Sequence, residues 1–234
     1  MNSFASASHA HSTALPFPGL RTPVEDLYPR VFDAILEQRI DEHSRFTEDS
    51  LKAMFSASRA DVRRVLTQLS HEQIVLLRAN HRPRVAAPDR ELIRQTLHAR
   101  RLAESTLVRL ACQRPRADEL KCLRTLIERE KRAVEQDRRG AAIRLSGEFH
   151  LQLARMAGNL PLAHFLRSLV PLTSLAIARS DCQTHSCCAW QEHLALVEVV
   201  ERGDAAKAGM LMDRHLDHLE QALLGSSFEH CVVG

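Results

Sequence analysis

The 234-residue chain has little of what sheet proteins are built from. One tryptophan, one tyrosine and eight phenylalanines bring the aromatic share to only 4%, and glycine occurs only eight times. Strands draw on aromatic and β-branched residues, and tight turns draw on glycine. The shortage of both argues against a β-sandwich and against a glycine-turned α/β enzyme. No apolar run approaches the roughly 20 residues that cross a bilayer. Six cysteines do not make a disulfide framework in a chain of this length. No secretory leader is legible, so a reduced intracellular setting is expected. Cys182, Cys187 and Cys188 cluster, but adjacent cysteines point in different directions on a helix, which weakens a two-thiol metal site.

The chain is rich in Leu, Ala and Arg, and 44% of it is hydrophobic. That composition favours helices around a substantial core. The net charge of +3 is too small to indicate nucleic-acid binding by itself. Its distribution is uneven: residues 1–88 sum to +1, residues 89–139 to +5 and residues 140–234 to −3.

Residues 1–22 mix Ser, Ala, His, Pro and Gly without a period and read as a mobile tail. His9 and His11 could pair on a metal, although exposed tail histidines are usually idle. A first helix starts near Pro23 or Val24, with Leu27, Val31, Ile35, Leu36 and Ile40 as its buried stripe. Thr47 can cap a second helix carrying Leu51, Met54 and Phe55 inward. After the turn Phe55-Ser-Ala-Ser58, Ser58 can cap a third helix, with Asp61 completing a relaxed capping box. Val62, Val65, Leu66 and Leu69 give that helix one apolar face and leave Arg59, Arg63 and Arg64 on the other. An apolar run, Ile74 to Leu77, leads through the basic turn Arg78 to Arg84 into Val85; Pro83 suits the turn.

That order is what a winged helix-turn-helix requires: a helix narrow enough for the major groove and a basic hairpin beside it. From Arg59 to Ala86 there are six arginines against two acidic residues. A merely solvated basic face is the competing reading of this stretch, and the capped helix with its adjacent hairpin favours DNA.

Pro88 and Asp89 mark a boundary. Helical intervals then run over Leu92–Ala111, Ala117–Gln136, Arg138–Ala157, Leu162–Ala178 and Ala189–Val200, with Asp204 capping a last helix. The expected fold is mainly α: a winged helix-turn-helix over 23–87, then an all-helical bundle of about six helices over 88–224, with tails at 1–22 and 225–234.

The chain resembles the GntR-family transcriptional regulators of the FadR-like, FCD-containing branch from about residue 24 to 224. The family's Ser-Arg-x-x-Val-Arg-x-x-Leu reading helix stands here as Ser58-Arg59-Ala60-Asp61-Val62-Arg63-Arg64-Val65-Leu66. Its Asn-Arg-Gly-x-x-Val wing reads Asn80-His81-Arg82-Pro83-Arg84-Val85, without the glycine. Farther on, Glu148-Phe149-His150, Ala157-Gly158-Asn159, Glu192-His193, Gly203-Asp204 and Met212-Asp213-Arg214-His215-Leu216 follow the branch in order and spacing.

The resemblance implies a cytoplasmic bacterial regulator that binds a double-stranded DNA operator as a homodimer on related half-sites, under control of a small-molecule effector. It assigns DNA contacts to Ser58, Arg59, Arg63, Arg64, Arg82 and Arg84. Many relatives hold a divalent metal through an Asp and three His. The histidine positions match His150, His193 and His215, and the Asp position is Ser146. Imidazole nitrogens suit zinc or nickel, and loss of the carboxylate lowers the ligand count and the site's negative charge. By spacing alone, three separated histidines are more often ordinary polar or core residues. Arg100, in Ala99-Arg100-Arg101-Leu102-Ala103-Glu104, matches a position that could hold an effector carboxylate. The alternative is a surface ion pair between Arg100 and Glu104, one turn apart. Ser146 and Asn159 complete the effector candidates, and Asn159 also reads as a helix terminator.

Two other functions fit parts of this pattern. One is a metal-dependent hydrolase using the three histidines and a bound water; the residues offer it no persuasive general acid or base. The other is a sensor acting through a protein partner, its DNA head having lost function.

Overall fold

The computed structural model describes residues 23–180 and 183–225, with side chains over 26–180 and 189–225. His9, His11 and Cys182 lie outside the described residues, and Cys187 and Cys188 outside the described side chains. Nine helices and one two-stranded hairpin make up the described residues.

The first part is a winged helix-turn-helix. It comprises α1 (Pro23–Leu36), α2 (Glu48–Phe55), α3 (Arg59–His71) and a hairpin of β1 (Val75–Leu76) and β2 (Arg84–Val85). Thr47 caps α2 by accepting from the Ser50 amide at 3.1 Å, while Ser50 Oγ accepts from the Thr47 amide at 2.8 Å. Ser56 then takes a left-handed conformation (φ 51°) and stops α2. Ser58 caps α3 by accepting from the Asp61 amide at 3.1 Å, and its hydroxyl donates to the Asp61 carboxylate at 2.6 Å. The hairpin is antiparallel, with Val75 opposite Val85 and Leu76 opposite Arg84. Asn80, at φ 61°, supplies in the wing turn the left-handed residue that a glycine would otherwise provide.

The second part is a six-helix bundle: α4 (Arg90–Ala111), α5 (Ala117–Glu135), α6 (Arg139–Met156), α7 (Leu160–Arg179), α8 (Gln183–Glu201) and α9 (Ala205–Leu224). Asp89 caps α4 and Asp204 caps α9, each accepting from a backbone amide three residues on. Two boundaries differ from the sequence expectation. Asn159 does not close α6; the chain turns at Gly158 (φ 68°), and the Asn159 side chain caps α7 instead, accepting from the Leu162 amide at 3.2 Å. Helix α8 begins at Gln183, well before Ala189. Helix α7 is also long and apolar enough to cross a bilayer by length and composition. It carries Arg167, however, and it packs along α4 and α6, burying Leu166, Val170, Leu172 and Leu175.

The reading head is not a free appendage. Its core of α1–α3 side chains extends into the bundle through Ile143 of α6 and Leu175 and Ala178 of α7. Arg144 of α6 grips Asp33 of α1 through two hydrogen bonds, at 2.6 and 3.1 Å. Gln38 donates to the Ala178 carbonyl at 2.7 Å, and Arg179 pairs with Glu42. At Gly140 the two helices come so close that a Cβ would stand 2.7 Å from the Asp33 carbonyl oxygen. Only a residue without a side chain fits that crossing.

Candidate functional site: a three-histidine centre and a basic helix

The bundle brings His150 (α6), His193 (α8) and His215 (α9) into one cluster. Their candidate ligand atoms all lie within 4.8 Å of one another, and the side chains are 3%, 0% and 3% exposed. The rings form a near-equilateral triangle with centroids 5.0–5.1 Å apart. Phe149 stacks on His193 at 4.0 Å and fixes that ring.

Each imidazole is held from behind by a carboxylate at Nδ1: His150 by Glu104 at 2.5 Å, His193 by Glu130 at 2.8 Å and His215 by Glu192 at 2.6 Å. A carboxylate accepts only, so each Nδ1 carries the proton and each Nε2 is left with a bare lone pair. His150 Nε2 and His215 Nε2 are 3.2 Å apart, and His193 Nε2 is buried without a hydrogen-bond partner. Three converging lone pairs in a buried site repel one another unless a cation or a donor sits between them. Nitrogens about 2.0–2.1 Å from one ion stand roughly 3.0–3.4 Å apart, which brackets the His150–His215 spacing, with His193 within 4.8 Å of both. Carboxylate-backed histidines are the usual orienting arrangement around such ions. The cluster is therefore chemically fit to hold a divalent metal.

Electrostatics favour the same protonation state. Burial pushes the His150 pKa down to about 3 despite the pull of Glu104, and burial lowers His215 in the same direction. Burial alone would raise Glu104, but Arg100 and then His150 outweigh it and hold the carboxyl well below the usual range. Glu192 is likewise held low, its burial overcome by His215 and His218. For His150 and His215 the electrostatics thus favour neutral imidazoles backed by ionised carboxylates, and His193 joins them by geometry.

Beside the cluster lies a cavity of ≈ 30 Å³, lined among others by Arg100, Ser146, His150, Ser174 and His215. That is room for a water or two rather than a drug-sized molecule. Arg100 is 2% exposed and its Nε donates to Glu104 at 2.7 Å, so this is a buried ion pair and not the surface pair the sequence allowed. Its Nη2 is buried without a partner. Asn159 is exposed at the head of α7 and is not among the residues lining this cavity.

The other expected site lies on the reading head. Ser58, Arg59, Arg63, Arg64, Arg82 and Arg84 are all exposed. Arg59 pairs with Asp49 at 2.5 Å and Arg63 with Glu48 at 2.8 Å, both acids lying on α2. Arg64 stands 3.7 Å from Asp61.

Sequence reasoning missed the three supporting carboxylates. Glu104 and Glu192 occur within the segments that carry the resemblance, as neighbours of Arg100 and His193. Glu130 sits in the charged run 129–132 and gives no signal, because only the packing of α5 on α8 turns it inward.

Comparison with known proteins bears on the family and the fold. Residues 95–218 match the FCD domain family. The chain is 27% identical over 195 residues to the HTH-type transcriptional repressor NanR of Escherichia coli K12, covering 73% of this chain and 72% of that protein. To the NanR of Salmonella newport it is 25% identical over 248 aligned positions, covering 93% and 94%. Among solved structures, a GntR transcriptional regulator from Rhodococcus sp. RHA1 superposes with a TM-score of 0.69 at 18% identity, covering 88% of this chain and 99% of that one. McbR/YncC of E. coli superposes with a TM-score of 0.67 at 14% identity, covering 86% and 99%.

Proposed function

The chain belongs to the FCD-domain branch of the GntR transcriptional regulators, and from that premise we propose how its two sites divide the work of a ligand-responsive DNA-binding protein. Residues 23–87 read DNA and residues 88–224 sense the effector and dimerise. A homodimer sets two α3 helices into successive major grooves of a palindromic operator, in the bacterial cytoplasm. Arg59 and Arg63 contact bases or phosphates, Arg64 the backbone, and Arg82 and Arg84 the groove edge beside the wing. Ser58 holds the start of α3 at the DNA surface. Membership in a regulator family argues against the hydrolase alternative.

His150, His193 and His215 hold a divalent metal, zinc or nickel by their nitrogen chemistry. The observation that carries this reading is the set of three inward Nε2 atoms, each backed by its own carboxylate. A bound divalent ion would supply a Lewis-acidic position for an oxygen ligand. Ser146 stands where many relatives place an aspartate, so the site lacks one negative charge. The carboxylate group of an effector restores that charge, with the unpartnered Arg100 Nη2 as its donor, and anything larger than that group has to open the ≈ 30 Å³ cavity to enter.

The route to DNA runs through α6. Ile143 lines the histidine cavity and also belongs to the core of the reading head, and Arg144 beside it grips α1. An effector that favours one docking of the head over another shifts the dimer's reading geometry; equal affinity for both would shift nothing.

Two substitutions test the two halves separately. His193→Ala lowers the metal retained after purification in zinc- or nickel-supplemented medium, read by elemental analysis, while equal metal content rejects the site. Arg63→Ala weakens operator binding by about 1–3 kcal/mol with folding unchanged, read by titration against operator and scrambled duplexes. Unchanged affinity for both duplexes rejects the assigned reading role.

A further inference from the structure

A second, larger hollow lies where the reading head meets the bundle. This cleft measures ≈ 470 Å³ and is walled by α1 and α3 on one side and by α5, α6 and α7 on the other. Its volume falls in the range of small-molecule sites, which the histidine cavity does not reach. We propose that this cleft is a ligand site in its own right, taking a small amphipathic monoanion such as an arylalkyl carboxylate.

The head side of the cleft is polar and already satisfied. Tyr28 donates to one oxygen of Glu72 at 2.5 Å, and Gln68 donates to the other at 3.1 Å. Burial raises the Glu72 pKa although the hydrogen bonds from Tyr28 and Gln68 pull it down, and burial followed by Glu72 raises that of Tyr28. The body side carries three arginines. Arg144 is committed to Asp33 and Glu148. Arg155 bonds the neutral Gln152 at 2.9 Å, and Arg167 acts on Glu72 only through its charge. Neither of those two guanidiniums is in an ion pair among the described residues. An anion entering the cleft therefore finds two cations whose strongest hydrogen bonds are still unmade. Leu126, Leu151, Val170 and Pro171 also line the cleft and offer apolar surface to the body of the ligand.

Position gives the site its consequence. Glu72 is the C-cap of α3 and Gln68 lies in its last turn, so the ligand touches the DNA-reading helix directly. A molecule that contacts both walls stabilises the docked head by its differential affinity for that arrangement. The partition from the histidine cavity is thin: Gly147 and Ser174 line both hollows, and a Cβ on Gly147 would approach Val170 and Ser174 to 3.0 and 3.2 Å.

Tyr28 is the chain's one tyrosine, so fluorotyrosine labelling places a single fluorine reporter in the cleft. Titration of the full-length protein with phenylbutyrate, followed by fluorine NMR, is expected to shift that resonance saturably. The uncharged phenylbutanol should bind about tenfold more weakly or worse. Replacing the exposed pair, Arg155→Ala with Arg167→Ala, should weaken phenylbutyrate by about tenfold or more without lowering the unfolding midpoint. His193→Ala should leave the shift intact, which keeps the cleft distinguishable from the metal reading. No saturable shift, equal binding of the alcohol, survival in the double variant, or loss in His193→Ala would each overturn the proposal.

Discussion

The reading helix and the histidine centre both rest on arginine–carboxylate pairs, yet they use them in opposite ways. On the head, Arg59–Asp49 and Arg63–Glu48 sit in water, with the arginine side chains 55% and 64% exposed. Such pairs are screened by solvent, add little to stability and exchange freely. They keep the guanidiniums ordered near α2, and under the proposed function a DNA phosphate would compete for them. In the bundle, Arg100–Glu104 is 3% and 2% exposed and continues into His150. There the charges cannot be returned to water, so the pairing is permanent and serves to orient the imidazole. Exposed pairs hold a ligand's place, and buried pairs build the frame that meets a ligand.

The contrast is tested hardest from the buried side. Glu104→Ala strands Arg100 and frees the His150 ring, and should cost about 3–5 kcal/mol of unfolding free energy in urea titration. A cost below about 1 kcal/mol would mean that the two regions do not differ. Acid should separate them next. The His150 pKa is lowered in the folded state to about 3, whereas in the unfolded chain it titrates near the ordinary ~6.5. The unfolded state therefore binds more protons between those values, and stability is lost as pH falls through that window. Glu104, also held low when folded, adds loss in the same direction below about pH 4.5. Thermal unfolding of metal-free protein should fall by the order of a few kcal/mol across this range, and His150→Leu should flatten the slope. The smallest effect belongs to the head. Replacing Glu48 and Asp49 by Ala should leave the unfolding midpoint essentially unchanged. It should tighten duplex binding a few-fold at low salt and less as salt rises, because the arginines lose their competitors.

What the sequence disclosed follows the range of the interactions involved. Caps act within four residues, so Thr47, Ser58 and Asp204 placed three helix starts correctly. The core faces of α1 and α3 repeat at helical spacing, and Leu27, Val31, Val62 and Leu69 are buried as read. Asn159 was misread because a side chain that can stop one helix can equally start the next, and only Gly158's left-handed turn decides between them. In the histidine centre the ring positions came through resemblance, since no local period relates residues on α6, α8 and α9. Arg100 and Glu104 are legible as one-turn neighbours, but their burial depends on α6 and α9 closing over them. Glu130 was hidden for the same reason. The docking of head on body was silent in the sequence: Gly140 and Arg144 look like any glycine and any surface arginine until α1 lies across them.

Backbone contact at Gly140 leaves no compressible layer between α1 and α6. A motion that preserves the contact cannot be a slide; it has to be a swivel about that point. A swivel amplifies with radius, so any turn of the head that keeps this contact moves residues far from the crossing more than those beside it. For such a motion the crossing is the fulcrum.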